Sequence, residues 1–108
     1  MNITNEYAVL KQASLKNFKH VAQLKQVYLS FNHVAFSMKM YEMDFRDYLE
    51  DHRDVRYLAR MFQMISTGIE ELHSINYVHR DLKPENIMVN LKPLHLVLID
   101  FERATPRT

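Results

Sequence analysis

The chain predicts an α+β fold, and three observations predict it. Val55, Leu58, Phe62, Ile65, Ile69 and Leu72 recur at alternating steps of three and four, the spacing of one helix face. Two pairs of short apolar stretches rich in β-branched and aromatic residues are each joined by turn-forming residues, the pattern of antiparallel strands. Helical and strand-like segments also follow one another closely along 108 residues, so both must share one small core.

Taken in order, Thr4 is placed to cap a first helix in which Ile3, Tyr7, Leu10 and Ala13 or Ser14 keep the three-four spacing to about Lys16. Val21 to Leu29 and His33 to Tyr41 then read as an antiparallel pair around Ser30-Phe31-Asn32, whose Ser and Asn suit a turn. A short helix from Phe45 to Glu50 leads through the charged Asp51-His52-Arg53-Asp54 into the long ladder. Met61, Met64 and Gly68 widen its stripe, so this helix is predicted to be largely buried. Beyond it, Ile87-Met88-Val89 and Leu96 to Ile99 read as two strands about a turn containing Pro93, and Ala104 to Thr108 as a frayed tail.

Composition excludes more than it assigns. Fourteen basic and thirteen acidic residues give a net charge of +1, with neither sign gathered into a run that would mark a nucleic-acid or lipid partner. The absence of cysteine rules out disulfides and thiolate metal sites and fits the cytoplasm or nucleus. No basic-then-apolar leader opens the chain, and its longest aliphatic run, Leu96 to Ile99, is far too short to span a bilayer.

One segment specifies a chemistry. His79-Arg80-Asp81-Leu82-Lys83-Pro84-Glu85-Asn86, followed downstream by Asp100-Phe101, assembles the groups that phosphoryl transfer requires. A carboxylate must orient the attacking hydroxyl, a cation must neutralise developing charge, and two oxygen ligands must hold a metal ion. Asp81, Lys83, Asn86 and Asp100 are such a set.

Over all eight positions from His79 to Asn86 the chain resembles the eukaryotic protein kinase family, and Lys83 resembles the serine/threonine form. The resemblance implies a partial protein-kinase-like fold over residues 1–108, with 1–41 a remnant of the N-terminal lobe and 42–108 the start of the C-terminal lobe. It implies ATP as cofactor and a protein hydroxyl as acceptor. Asp81 would be the catalytic carboxylate, Lys83 would stabilise charge on the terminal phosphate, and Asn86 and Asp100 would ligate Mg2+ or Mn2+. On the nucleotide side, Glu6 matches the helix glutamate that pairs with a strand lysine, Met38 the gatekeeper, and Lys39-Met40-Tyr41 the hinge that meets adenine. His79 is expected to bond the backbone near Asp100 and shape the loop, Arg80 to be structural, and Glu85 to face a basic substrate residue.

Departures from the family pattern temper the expected activity. Gly68 is the one glycine, so no glycine-rich phosphate loop exists in this sequence, and the strand lysine is missing as well; both would lie upstream of Met1. After Asp100-Phe101 the family carries glycine and this chain has Glu102, which predicts backbone strain and an extra negative charge beside the metal and phosphates. Two functions therefore stand side by side. One is a serine/threonine kinase chain, impaired or inactive by itself, with a protein substrate. The other is a kinase-derived module that binds and modulates a full partner kinase, helped by an apolar stripe left uncovered on the long helix.

Overall fold

Helix α1 (Ile3–Leu15) forms because Val9, Leu10 and Ala13 share one face, and all three are completely buried. The computed structural model describes residues 3–51 and 55–107, with the side chains of Ile3, Thr4, His33, Val34, Phe36, Asp51 and Val55 outside that description. The charged segment at 52–54 thus lies outside the described residues. The helix begins at Ile3, so Thr4 stands within it rather than at its cap.

The core is a three-stranded antiparallel sheet, with β5 (Ile87–Leu91) between β3 (Met43–Asp44) and β6 (Leu94–Leu98). Ile87 and Val89 of β5 alternate inward with period two, whereas Leu96, Val97 and Leu98 are buried in succession. That run is covered on both faces, because helix α3 (Leu58–Ser74) packs on β6. The segment before β1 extends the sheet further, with Val21 bridging Leu98 in parallel and Ala22 N–H donating to the Leu98 carbonyl at 2.9 Å.

Helix α3 meets this edge at Gly68. A Cβ there would lie 2.5 Å from the His20 carbonyl oxygen and 3.1 Å from the Leu98 side chain. That same carbonyl accepts the Leu98 N–H at 3.0 Å, so the missing side chain lets helix, strand and bridging segment close on one another.

The buried seam of α3 is Met61, Ile65, Gly68 and Leu72. Phe62, a rung of the predicted ladder, is instead 57% exposed, touching only the Phe45 ring edge-on at 6.5 Å among its ring contacts. Met61, one residue earlier, faces the sheet, which rotates the buried stripe away from Phe62. Helix α2 (Phe45–Asp51) buries Phe45 and Tyr48 against the sheet, and Leu49 and Tyr57 are exposed, as Phe62 is.

The first predicted strand divides into the bridge at Val21 and β1 (Gln26–Ser30), which pairs antiparallel with β2 (His33–Ser37) around a Phe31-Asn32 turn. All five residues of β1 are exposed. The predicted frayed tail is a correction. Thr105–Pro106 forms β7, antiparallel to β4 (Tyr77–Val78), Ala104 is fully buried, and Arg107 N–H donates to the Asn76 carbonyl at 2.7 Å. No helix among the described residues is long and apolar enough to cross a membrane.

Candidate catalytic site

The loop after β4 is organised around His79, a buried imidazole with both nitrogens engaged. Asp81 N–H can only donate, so Nδ1 accepts it at 3.1 Å, and Nε2 therefore carries the hydrogen given to the Ile99 carbonyl at 2.7 Å. The ring also meets Phe101 edge-on at 5.3 Å. Arg80 takes φ 69°, a left-handed conformation that costs a non-glycine residue about 1–2 kcal/mol and lets the Asp81 amide turn back onto His79.

Asn86 is the second hub. Pro84–Asn86 forms one 3-10 turn with Pro84 at its first position, closed by Asn86 N–H on the Lys83 carbonyl at 2.9 Å. The buried Asn86 amide donates through Nδ2 to the Asp81 carbonyl at 2.9 Å and to Asp81 Oδ2 at 3.3 Å. Its donor end is thereby committed to Asp81, which leaves Oδ1 as an available acceptor. Lys83 Nζ lies 3.8 Å from Asp81 Oδ1, a half-exposed pair worth about 0–1 kcal/mol that places cation and carboxylate side by side.

Asp100 reaches this loop through its neighbour. Ile99 N–H donates to the Asn86 carbonyl at 3.0 Å while the Ile99 carbonyl accepts from His79, so one residue locks the second segment to both hubs. Asp100 itself has φ 61°, and its Oδ1 accepts the Glu102 N–H at 3.4 Å. Strain was expected at Glu102, but the left-handed residue of this turn is Asp100. The expected charge is present, however. Partial burial first, then Asp100, then Glu102 push the Glu6 carboxyl above its ordinary value.

Helix α1 is held against this corner by Asn5, whose Nδ2 donates to the Ala104 carbonyl at 2.7 Å. Glu6 was matched to a helix glutamate that pairs with lysine, and it faces carboxylates here. A corner containing Glu6, Asp100 and Glu102, with the Asn86 amide oxygen available nearby in the loop, has the hard oxygen chemistry that suits magnesium or manganese. Among the described residues no three His, Cys, Asp or Glu side chains form a ready metal cage. An amide, one carboxylate, waters and phosphate oxygens are the set such an ion ordinarily takes.

Met38 and Met40 line an apolar groove of about 260 Å3 together with Ala22, Met88 and Ile99. Met38 packs partly on the core, while Met40 is 89% exposed and contributes surface rather than an enclosing wall. Sequence reasoning missed Asn5 and Ile99. Ile99 acts through its backbone groups, for which no residue type is diagnostic, and Asn5 through a side-chain amide whose partner carbonyl lies 99 residues away.

The protein kinase domain family model matches residues 1–106, and the chain belongs to that family. It is 36% identical over 95 residues to cyclin-dependent kinase 1 of Encephalitozoon cuniculi, covering 81% of this chain and 32% of that protein. It is 31% identical over 81 residues to homeodomain-interacting protein kinase 2 of Mesocricetus auratus, covering 68% of this chain and 7% of that protein. Homeodomain-interacting protein kinase 1 of Mus musculus matches to the same extent. The chain thus spans a third or less of the length of these relatives.

Proposed function

We propose that the chain carries the phosphoryl-transfer half of a serine/threonine protein kinase site, acting on a protein hydroxyl with ATP and Mg2+ or Mn2+. The observation that supports this reading is the set of bonds by which His79 and Asn86 tie Asp81, with Lys83 beside it, to Ile99, the residue before Asp100. Asp81 accepts the acceptor hydroxyl's hydrogen bond and orients it, and Lys83 balances negative charge at the transferred phosphate. Asn86 Oδ1 and the Asp100 carboxylate hold the metal ion, which when bound neutralises phosphate oxygens. The groove at Met38 and Met40 takes the adenine, and residues 1–41 and 42–108 are the two lobe portions on either side of it. Glu6 and Glu102 add negative charge to this corner and lower its affinity for a nucleotide that arrives without its metal.

Transfer of labelled phosphate from ATP to a mixed serine/threonine peptide set tests this. Asp81→Asn is expected to lower the rate by about 10²–10⁴-fold with an unchanged melting midpoint. Equal transfer by both proteins defeats the proposal. A second reading, a kinase-derived module that binds a full kinase, is favoured by the exposure of Leu49 on α2, Phe62 on α3 and Tyr57 just before it. Metal-dependent ATP binding by calorimetry without any transfer, together with kinase capture lost in Phe62→Lys, is the outcome that selects it.

A further inference from the structure

Beside Lys39 and Tyr41, and lined by no residue of the catalytic loop, the chain has a recess of about 240 Å3 whose floor is the buried Val21, Ala22 and Val97. Phe18, Tyr41 and His95 form its walls, the Tyr41 and His95 rings lying 5.9 Å apart. Its rim is basic. Lys39 Nζ stands 5.6 Å from the Tyr41 ring centroid, and Lys19 closes the opposite side. A second recess of about 380 Å3 adjoins it through Lys19 and adds Arg60 and His20.

No carboxylate stands among the residues lining either recess. Glu71, which reaches this segment, is occupied by the backbone N–H groups of Lys19 and His20 at 2.7 and 2.8 Å. Among the described residues, Lys19, Lys39 and Arg60 make no ion pair. Lys19, Lys39 and Arg60 outnumber the Glu71 carboxylate at this segment, and a net positive rim around an apolar floor complements a ligand that is negative outside and apolar at its centre.

The size narrows the ligand further. Pockets for drug-sized molecules run to about 300–1,000 Å3, so the floored recess suits one side chain of a larger partner better than a free metabolite. We propose that this face is a docking site for an acidic segment of a partner protein, which inserts one apolar side chain over Val21, Ala22 and Val97 while flanking carboxylates meet Lys19, Lys39 and Arg60. The recess shares Ala22, Lys39 and Tyr41 with the groove at Met38 and Met40, but none of Asp81, Lys83, Asn86 and Asp100 lines it, and the docking proposal stands whether or not the chain transfers phosphate.

The test is fluorescence anisotropy on the 108-residue chain, with a labelled peptide in which Leu-Phe is flanked on each side by two glutamates. Saturable binding is expected, weakened about tenfold by Lys39→Glu and by the Lys19→Ala/Arg60→Ala pair, each checked for an unchanged circular dichroism melt. A peptide with lysines in place of the glutamates should not bind. On titration, the amide resonances of Val21, Ala22 and Val97 should move and those of Asp81 and Asn86 should not. Absence of saturable binding, equal binding of the lysine peptide, indifference to Lys39→Glu or shifts confined to the catalytic loop would each overturn the proposal. So would tighter binding of a single-stranded RNA oligonucleotide that Lys39→Glu abolishes, which would make the face a nucleic-acid surface.

Discussion

The catalytic-loop corner and the β1–β2 hairpin have comparable lengths of chain and opposite kinds of order. In the corner, His79 and Asn86 each bond both Asp81 within the loop and Ile99 beyond it, and the residues beneath them are buried. In the hairpin, the bonds run between its own strands, and Tyr28, Leu29 and Phe31 point to solvent. A two-stranded hairpin is marginal by itself, whereas polar groups that close on one another over a packed strand hold their geometry before any ligand arrives.

The contrast breaks most readily at His79. His79→Ala removes an acceptor for the Asp81 amide, a donor for the Ile99 carbonyl and the ring against Phe101, leaving two polar groups unpaired beside a cavity. A loss of about 2–4 kcal/mol in urea unfolding is expected. A loss below about 0.5 kcal/mol would mean that the corner is no better ordered than the hairpin.

Gly68→Ala comes next. Alanine favours the helix by up to about 1 kcal/mol, but its Cβ would press on the His20 carbonyl, a backbone atom that moves only if the bond to Leu98 N–H moves with it. Overpacking of this kind costs about 1–3 kcal/mol, so the net effect is a loss of about 1–2 kcal/mol and a lower melting midpoint. A stabilised variant would show that α3 and the His20–Leu98 bridge are looser than their contact implies.

Glu6→Gln sharpens the comparison through pH. The folded chain raises the Glu6 carboxyl above its ordinary value of 4.5, so it binds that proton more tightly than the unfolded chain does. The associated stability is full below the ordinary value and is lost as pH rises through the raised one. The glutamine variant should melt slightly above the parent at about pH 7 and level with it at about pH 4, in buffer containing a chelator. An equal difference at both values would trace the effect to packing rather than to burial of the charge and its repulsion by Asp100 and Glu102.

What could be read in advance follows the same division. The long helix and the pair β5 and β6 rest on period; both strands lie within two residues of their expected limits, while the helix starts at Leu58, three residues after the first rung of its ladder, because Val55–Tyr57 forms a 3-10 turn. Two-residue strands have no period, so the pairing of Tyr77–Val78 with Thr105–Pro106 and the place of Met43–Asp44 beside β5 were invisible. Asn5 meets Ala104 across almost the whole chain, and nothing local to either residue announces it. The left-handed residue fell at Asp100 rather than Glu102, where the residue type alone had placed the strain. Ile99 is fixed on both sides by Asn86 and His79, and the chain reverses immediately after that anchor.

The smallest expected effect is at the hairpin tip. Phe31 is 99% exposed, so Phe31→Lys removes almost no buried area, and unfolding stability should stay within about 0.5 kcal/mol of the parent. The change should show instead in behaviour that depends on concentration. An exposed aromatic at the end of an unpaired strand edge promotes association between chains, and a lysine there opposes it. Sedimentation at rising protein concentration should therefore show less self-association for the variant, with no change in the urea midpoint. A stability loss above about 1.5 kcal/mol would place Phe31 in a packed environment in solution and remove the distinction between the two regions.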